Sequence, residues 1–271
     1  MTRKLPFTKM HSCGNDYIFF RGENIDNPGN LAIQLTDRNK SIGGDGIVLV
    51  LESEKADARM RMFNSDGSEG LMCGSSIRCM AKFLFDHDIC KKTKMKIETA
   101  SGVKDVSYEF GTARADMGLP ILSPAKIPVN LTGDAIVARK VNVGGINFEI
   151  TCLSMGNPHA IVFQELSNFD AIAPLFEKSD LFPQGINLGV ADMKSRDHIE
   201  MRVWERGTGE TLASGTGAYA AAVAAVLLGY ADCDQDITVV QQGGCLTIRY
   251  TDHAVFLTGD VATAYEGVVL I

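Results

Sequence analysis

Apolar and polar positions along the chain form many short strand-like runs and a few segments with helical spacing. In the first half, these runs predict strands at 7–10, 17–20, 47–51, 59–63, 94–99, 103–110 and 112–118. In the second half, they predict strands at 135–143, 146–153, 160–163 and 200–204, and a small antiparallel set at 237–240, 245–250 and 254–258. Turns are expected at 11–16, 42–46 and 155–159, which are rich in Gly, Asn, Asp and Pro. The pattern favours an α+β fold.

Helical spacing occurs in four segments. Short helices are predicted over 31–37, capped by Asn30, and over 170–177. From Ile77 to Phe85, apolar residues recur on one helical face. The Ala-rich stretch that ends near Leu228 is apolar nearly all round, so we expect this helix to be buried.

The helix that contains Ile77 begins beside a cysteine, in the sequence Met72-Cys73-Gly74-Ser75-Ser76. We expect Ser75 or Ser76 to cap it by accepting a bond from a free backbone N–H group. The remaining N–H groups and the positive end of the helix dipole suit a carboxylate, and they favour a thiolate over a thiol. Cys73 is therefore a candidate base or nucleophile. The alternative is a buried cysteine that precedes an ordinary helix.

The two halves of the chain repeat one another at an offset of 141 residues. The matching pairs are Met60-Arg61 and Met201-Arg202, Phe63 and Trp204, Glu69 and Glu210, Leu71 and Leu212, Cys73 and Ser214, and Gly74 and Gly215. At nearly the same offset, Gly14-Asn15 matches Gly156-Asn157, and Gly46-Ile47 matches Gly185-Ile186. The repeat predicts two similar α+β lobes with a ligand site in the cleft between them.

Prolines near the middle of the chain suggest where the lobes divide. Pro120, Pro124 and Pro128 fall in a loop-rich stretch. We expect an N-terminal lobe over 1–126 and a C-terminal lobe over 127–271, with the chain end packing back on the N-terminal lobe.

Two helix starts that face one cleft would hold a carboxylate strongly, with Cys73 and Ser214 on opposite sides of the bound molecule. Two opposed groups around one carbon can remove a proton from one face and return it to the other. This is racemisation by general acid–base catalysis. The helix dipoles would stabilise the negative charge that develops on the carboxylate.

Composition narrows the class of protein. The chain has 271 residues, of which 45% are hydrophobic and 22% are charged, as is typical of a soluble globular protein. A net charge of -7 without a basic run argues against a nucleic-acid partner. The sequence shows neither a secretory signal nor an apolar window that could span a membrane, so we expect a cytoplasmic protein. Seven irregularly spaced cysteines predict reduced thiols, mostly packing residues, and no zinc site.

Two cofactor classes are disfavoured. The Gly-rich turn at 42–46 lacks a following GK[ST] and leads into a strand, which argues against a phosphate loop. No lysine lies in a recognisable pyridoxal phosphate setting. We therefore expect no cofactor and no metal.

Several motifs resemble those of the diaminopimelate epimerase family, whose members invert one α-carbon of diaminopimelate without a cofactor. The motifs are His11-Ser12-Cys13-Gly14-Asn15-Asp16, Phe63-Asn64-Ser65-Asp66-Gly67-Ser68, Met72-Cys73-Gly74, Gly156-Asn157-Pro158-His159, Glu205-Arg206-Gly207 and Gly209-Glu210-Thr211. The resemblance covers nearly the whole chain. It implies two pseudo-symmetric lobes, each a β-barrel-like sheet around a central helix, with the active site in the cleft between them.

The resemblance also implies roles for individual residues. Cys73 matches the first catalytic thiol, Ser214 stands at the second, and His159 and Glu205 match positions that support the thiols. The implied substrate-binding residues are Asn15, Asn64, Gly74, Ser75, Asn157, Asn187, Glu205, Arg206, Gly215 and Thr216. Arg206 and the Asn side chains would clamp the distal carboxylate, and Glu205 would take the distal ammonium. Gly74, Gly215 and Thr216 would offer backbone donors to the reacting carboxylate.

Two positions depart from the family pattern. The family has Cys where this chain has Ser214, and usually has Asn where it has Ser75. A hydroxyl is a far weaker acid than a thiol, so Ser214 is a poor base at neutral pH. Three explanations are open: an introduced Cys→Ser change in a two-thiol epimerase, a natural one-thiol relative such as a lyase, and a racemase of another amino acid such as histidine. A protein that only binds an amino acid is a further hypothesis.

The resemblance favours an isomerase that acts on a small amino acid, in the biosynthesis of lysine and peptidoglycan precursors. Dimers are common among the relatives, so the resemblance also points to a homodimer.

Overall fold

A computed structural model describes residues 3–22 and 25–271. The chain divides into two compact units, one formed by 1–116 with 258–271 and the other by 117–257. The prolines predict a single boundary after residue 126, with a returning chain end. The structure divides the chain after residue 116 and again after residue 257.

The first unit contains strands that flank two helices. The strands are β1 (Lys4–Ser12), β2 (Asn15–Arg21), β3 (Gly46–Leu51), β4 (Ala58–Asn64), β5 (Glu69–Gly70), β6 (Lys94–Thr99), β7 (Gly102–Glu109) and β8 (Thr112–Asp116). The helices are α1 (Pro28–Thr36) and α2 (Gly74–Asp86). The final strand of the chain, Ala262–Leu270, also belongs to this unit and pairs antiparallel with β1.

The second unit repeats this order of elements. Its strands are β9 (Ile136–Val143), β10 (Ile146–Ser154), β11 (Pro158–Phe163), β12 (Asn187–Ser195), β13 (His198–Glu205), β14 (Gly209–Thr211), β15 (Asp236–Gln241) and β16 (Gly244–Tyr250). Its helices are α3 (Phe169–Glu177) and α4 (Gly215–Leu227), with short 3-10 turns at Pro124–Lys126 and Leu166–Asn168. The next strand, β17 (Val255–Asp260), contains the division after residue 257, and Ala262–Leu270 is then β18.

Strand pairing inside each unit follows one scheme. In the first unit, β2 pairs antiparallel with β1 and parallel with β3, while β4 pairs antiparallel with β3 and parallel with β6. In the second unit, β11 pairs antiparallel with β10 and parallel with β12, while β13 pairs antiparallel with β12 and parallel with β15. The outer partner of β1 is β18, and the outer partner of β10 is β9. The internal repeat is therefore a repeat of topology.

One buried helix lies among the strands of each unit. Helix α2 packs against β1, β2, β7 and β8, and helix α4 packs against β10, β11, β12 and β16. The predicted face of α2 is buried at Ile77, Met80, Ala81 and Leu84. Every residue of α4 from Gly217 to Ala225 is buried, which confirms the expectation for this helix. Each unit thus has the predicted form, a sheet around a central helix.

Separate apolar clusters fill the space on the other side of the sheets. In the first unit, Phe20, Ile47 and Phe63 pack against α1 through Leu31 and Leu35. In the second unit, the corresponding cluster gathers side chains from β10, β12 and α3, with Phe169 and Phe176 fully buried. Each central sheet is therefore covered on both faces, which fixes the ends of its strands in place.

The local predictions were wrong in several places. The turn expected at 11–16 is a two-residue hairpin at Cys13 and Gly14, both with positive φ, and Asn15 already pairs with Ser12. Asn27, not Asn30, caps α1, since its side chain accepts a bond from the Asn30 N–H group. The sequence patterns missed β12 and β18. Within the small set predicted at 237–258, β15 and β16 do pair antiparallel, and β15 also pairs parallel with β13.

Candidate active site

Helices α2 and α4 begin in the same way, and the residue before each helix is the proposed acid–base group. Cys73 and Ser214 both have extended backbone, at φ -134 and ψ 135 for Cys73 and at φ -127 and ψ 116 for Ser214. The first intrahelical bonds run from Ile77 to Cys73 and from Ala218 to Ser214. Each helix has 13 residues, so both helix dipoles extend over several turns.

Short ion-paired strands lead into both helices. Arg61 of β4 binds Glu69 of β5 through two hydrogen bonds of 2.7 and 2.9 Å. Arg202 of β13 binds Glu210 of β14 in the same way, at 2.7 and 2.8 Å. These bidentate pairs link the strand that precedes each helix to the segment that delivers Cys73 or Ser214.

Cys73 does not cap its own helix. Its side chain makes no capping bond, and its sulfur lies 3.1 Å from the hydroxyl of Tyr17 in β2. Ser76 donates to the Cys73 carbonyl, so the prediction that Ser75 or Ser76 caps the helix was wrong. Within the described part of the chain, the structure records no partner for the N–H groups of Gly74, Ser75 and Ser76. These three donors suit an anion.

An amide and a hydroxyl flank the same helix start. The Asn15 side-chain amide donates to the Ser75 hydroxyl at 3.2 Å. Because the Ser75 oxygen accepts this bond, its own proton is directed elsewhere and is available to a ligand. Asn64 ends β4 and donates to Ser68, inside the turn that precedes β5.

A buried guanidinium lies below the start of α2. Arg78 donates from Nε to the Gly74 carbonyl at 3.0 Å and from Nη2 to the Ser12 hydroxyl at 2.7 Å. Its burial lowers the pKa of Arg78, although Cys13, Cys79 and Cys73 oppose that shift. Because an arginine stays protonated in proteins, this places a positive charge close to the thiol.

Ser214 caps its helix, unlike Cys73. The Ser214 hydroxyl accepts a bond from the Gly217 N–H at 3.2 Å and lies 3.3 Å from the Thr216 hydroxyl. Only 4% of Ser214 is exposed. With one lone pair used by the helix, the hydroxyl is arranged as a proton donor.

A chain of hydrogen bonds connects Ser214 to His159. His159 Nε2 lies 3.1 Å from Asn157 Oδ1, and the Asn157 amide donates to the Thr216 hydroxyl at 3.1 Å. Burial lowers the pKa of His159 to about 3, so its ring is neutral at pH 7. Because Nε2 of the neutral ring donates to Asn157, Nδ1 carries no proton and can only accept a hydrogen bond. Among the described residues, Nδ1 has no hydrogen-bond partner. His159 thus reaches Ser214 through Asn157 and Thr216.

The backbone of Ser214 is held by one further side chain. The Ser214 N–H donates to Gln241 Oε1 at 2.8 Å, and Gln241 Nε2 donates to the Ser214 carbonyl at 3.3 Å. Gln241 ends β15 and is only 6% exposed. At the matching position of the first unit stands Ala100, so this amide clamp belongs to the second unit alone.

The remaining implied residues gather where β12 begins and β13 ends. Asn187 accepts a bond from the Arg206 N–H at 3.0 Å and donates to the Pro158 carbonyl at 2.8 Å. The Arg206 guanidinium is exposed and donates to the Gln184 carbonyl, with its stem over Gly185. A Cβ at Gly185 would come within 2.7 Å of Arg206, so this glycine makes room for the arginine. Glu205 accepts from Thr211 at 2.9 Å, and its other carboxylate oxygen can take an ammonium.

The pairing of the strands shows that the sequence repeat aligned one pair of residues wrongly. Tyr17 is opposite Gly46 in the first unit, and His159 is opposite Asn187 in the second. The counterpart of Gly46 is therefore Asn187, not Gly185, and the counterpart of Tyr17 is His159.

Most of the predicted residues thus come together within their own unit. In the first unit, Cys73, Gly74, Ser75 and Asn15 surround the start of α2, and Asn64 lies at the end of β4. In the second unit, Ser214, Gly215, Thr216, Asn157 and His159 surround the start of α4, beside the group of Asn187, Glu205 and Arg206. Sequence reasoning missed Tyr17, Arg78 and Gln241. The offset between the halves could have found Tyr17, because it places Tyr17 opposite His159.

Other cysteines are poor candidates for the same chemistry. Burial raises the pKa of Cys79 and of Cys152 to about 12, so both remain thiols. None of the seven cysteines, all of which lie within the described residues, forms a disulfide bond. Within residues 3–22 and 25–271, no group of three or more His, Cys, Asp or Glu side chains is placed to hold a metal ion. In the same ranges, none of the helices has the length and apolar character needed to span a membrane.

Comparison with known proteins gives the family. The family model described as "Diaminopimelate epimerase" matches residues 7–122 and 151–264. A curated diaminopimelate epimerase from Desulfovibrio desulfuricans is 47% identical over 98% of this chain and 99% of its own length. Another, from Acetivibrio thermocellus, is 43% identical over 98% of both chains.

Solved structures share the fold at low sequence identity. A PhzF-family phenazine biosynthesis protein from Bacillus anthracis has a TM-score of 0.73 and 18% identity, with coverage of 99% of this chain and 100% of that chain. A probable proline racemase from Agrobacterium radiobacter has a TM-score of 0.70 and 14% identity, covering 98% of this chain and 92% of that chain. These similarities confirm the two-lobed fold. With the family model matching both halves and full-length relatives above 40% identity, the chain belongs to the diaminopimelate epimerase family.

Proposed function

We propose that this protein is an epimerase of diaminopimelate that works without a cofactor, by proton transfer at one α-carbon. The observation that carries the proposal is the pair of matched helix starts, each with an acid–base side chain immediately before it and an amide–hydroxyl pair beside it. The curated relatives carry the same name over their full length, which supports the substrate.

The proposed reaction begins at the α-carbon. The Cys73 thiolate takes the α-proton, the electron pair moves into the carboxylate, and Ser214 returns a proton to the opposite face. Free N–H groups at the two helix starts would stabilise the charge that develops on the carboxylate. The α-C–H bond and the Ser214 O–H bond break, and a new C–H bond forms on the opposite face. Before the next cycle, Cys73 releases its proton to solvent and the Ser214 alkoxide takes one from solvent.

Arg206 and Glu205 would bind the far end of the substrate. A guanidinium can hold a carboxylate through two parallel hydrogen bonds, and a carboxylate can pair with an ammonium. Asn187 fixes the backbone of Arg206, and Asn64 stands where β4 ends, at the position that Glu205 has in β13. An amino acid with one head group would leave these residues without a ligand.

We infer that Ser214 makes the two directions of the reaction unequal. A thiolate removes an α-proton readily, whereas a capped serine hydroxyl donates a proton but rarely accepts one from carbon. The chain therefore exchanges the α-proton quickly from the face that Cys73 meets, and inverts the centre slowly. This behaviour suits either an introduced serine or a natural one-thiol relative.

Solvent exchange of the α-proton tests this function. The protein is incubated in D2O with LL-diaminopimelate, meso-diaminopimelate or histidine, and deuterium is counted by mass spectrometry after chiral separation. We expect deuterium in a single stereoisomer of diaminopimelate and none in histidine. Binding of diaminopimelate without any exchange would show an amino-acid binder, and exchange of histidine would show a different racemase.

We further propose a homodimer in the cytoplasm. Strand β18 pairs with β1 and carries Tyr265, Val268 and Leu270, which are all exposed large hydrophobic residues. A second copy of the chain would cover them. Light scattering coupled to size exclusion should give twice the chain mass, and a mass of one chain would contradict this proposal.

A further inference from the structure

The Tyr17 hydroxyl lies within hydrogen-bond distance of the Cys73 sulfur, and none of the implied roles includes Tyr17. Its hydroxyl lies 3.1 Å from the sulfur, and the residue is only 7% exposed. We propose that Tyr17 is a positioning residue that orients Cys73 and donates a hydrogen bond to its thiolate. The proposal deepens the proposed function, because Cys73 is the base of that reaction.

The direction of this bond follows from the chemistry of the two groups. A thiolate has no proton, so the bond between it and Tyr17 must run from the phenol to the sulfur. Burial raises the pKa of Tyr17 well above its usual value, and negative charge on Cys73 raises it further, so the phenol stays protonated. A hydrogen bond from a neutral donor to a charged acceptor is stronger than one between neutral groups.

The backbone around Tyr17 holds the phenol in place. Tyr17 sits in the middle of three paired strands, opposite Met10 of β1 and Gly46 of β3. A Cβ at Gly46 would lie only 2.5 Å from the Phe63 carbonyl oxygen, so a glycine is needed here for β3 and β4 to pair closely beside the Tyr17 ring. Since Cys73 makes no capping bond, the hydroxyl is what selects the direction of its side chain.

The second unit shows that this contact is not a general feature of the repeat. His159 has the strand position of Tyr17, opposite Asn187, but its ring binds Asn157 and not Ser214. Among the described residues, the direct hydrogen bond between an aromatic side chain and a proposed acid–base group is that of Tyr17 with Cys73. This is expected if the hydrogen bond from Tyr17 stabilises the Cys73 thiolate.

Other ionisable groups act on Tyr17 and Cys73, so a test of their hydrogen bond must leave these groups unchanged. Asp45, which precedes β3, and Cys79 of α2 act on Tyr17, while Arg78 of α2 acts on Cys73. Replacing Tyr17 by Phe removes one oxygen and leaves these groups in place. A change in Cys73 reactivity in that variant is then due to the hydroxyl.

The experiment measures the pH dependence of Cys73 alkylation by iodoacetamide in the parent and in Tyr17→Phe. Trypsin releases residues 62–78 as one peptide with Cys73 as its sole cysteine, so mass spectrometry reads this thiol alone. Tyr108→Phe is the matched control, because Tyr108 is also 7% exposed and its hydroxyl lies beside Lys82, in the same unit. The assay needs no substrate, so it stands apart from any failure of the proposed function.

We expect the midpoint of the alkylation profile to move about one pH unit higher in Tyr17→Phe, because the thiolate loses a hydrogen bond that favours its charged form. Tyr108→Phe should keep the parent profile. Superimposable profiles for Tyr17→Phe and the parent would overturn the proposal, as would an equal shift in Tyr108→Phe. Thermal unfolding of each variant verifies that the compared proteins are folded.

Discussion

Helices α2 and α4 begin with the same backbone conformation, but the side chain of the residue before each helix makes different contacts. Ser214 gives its hydroxyl to the Gly217 N–H and lies against Thr216, whereas Cys73 leaves its helix uncapped and meets the Tyr17 hydroxyl. The serine oxygen is thus part of the cap of its helix, whereas the cysteine sulfur makes no capping bond. In the proposed reaction, this difference leaves the sulfur free to take a proton and arranges the hydroxyl to give one.

Tyr17 and His159 lie two residues after Asn15 and Asn157, and they also contact the residue before the helix in different ways. Tyr17 reaches the acid–base group directly, and His159 reaches it through Asn157 and Thr216. The phenol thus bonds directly to the proposed base, while the neutral imidazole bonds to the amide that contacts Thr216.

The largest expected effect comes from making the two positions alike. Cys73→Ser should lower α-proton exchange by about 10³-fold, within the range attributed to a positioned general base, because no thiolate then remains beside the helix start. The measurement is deuterium incorporation into diaminopimelate. Cys233→Ser is the control, since Cys233 is exposed and binds the Tyr250 carbonyl. Retained exchange in Cys73→Ser would show that another group takes the proton.

Arg206 tests whether the second unit binds the far end of the substrate. Its counterpart in the first unit is Ser65, so only the second unit offers a guanidinium. Arg206→Ala should raise the KM for diaminopimelate about 10- to 100-fold, the loss expected for a hydrogen-bonded charge pair. Arg196→Ala, which removes an exposed arginine paired with Asp232, should leave KM unchanged. An unchanged KM in Arg206→Ala would favour a substrate with one head group.

The pH dependence of the free energy of unfolding should show that His159 is buried in its neutral form. Its pKa is about 3 in the folded protein and 6.5 in the unfolded chain, so below pH 6.5 the unfolded chain binds a proton that the folded protein does not. The free energy of unfolding should therefore fall as pH falls, by about 1 kcal/mol from this residue between pH 6.5 and about pH 5.5. Urea unfolding of His159→Gln should lose this part of the slope. The exposed His253, replaced by Gln, should keep it, and equal slopes for both variants and the parent would contradict the assignment.

An effect on stability of similar size is expected from helix capping. Ser214→Ala should lower the free energy of unfolding by about 1 kcal/mol, because the Gly217 N–H loses its acceptor. Cys73→Ala should show no capping loss, since Cys73 makes no such bond. Urea titration measures both. A larger loss in Cys73→Ala than in Ser214→Ala would mean that capping does not distinguish the two helix starts.

Much of the fold could be predicted, because the buried strands and helices carry clear periodic patterns. Strand β6 alternates exposed and buried residues and was predicted at its actual bounds, and α4 is buried along its length as its composition requires. Strand β12 was missed because its buried first half, from Asn187 to Ala191, lacks that alternation. Strand β18 was missed because its mostly exposed side chains follow no burial pattern. Strand β18 is fixed by its pairing with β1, which a pattern of single residues does not show.

The sequence could predict those site residues whose chemical type recurs at the matching position of the other half. The offset finds Cys73 with Ser214 and Asn15 with Asn157, and the structure adds the matching hydroxyls of Ser75 and Thr216. The same offset matches Tyr17 with His159, but it does not reveal the bond from Tyr17 to Cys73. Gln241 has no counterpart that repeats its amide, and both contacts depend on which strand end lies beside which helix start. Caps were mispredicted because both helices begin earlier than the apolar spacing indicates, α1 at Pro28 after Asn27 and α2 at Gly74 after Cys73.

The most direct test of the account restores a thiol at position 214. In Ser214→Cys, the conversion of LL- to meso-diaminopimelate, followed by chiral chromatography, should rise by at least about 10²-fold, as expected when a poor acid–base group is replaced by a competent one. Exchange at the face that Cys73 meets should stay near its parent rate. An unchanged conversion rate in a folded Ser214→Cys protein that still binds diaminopimelate would contradict the claim that position 214 is the second acid–base group.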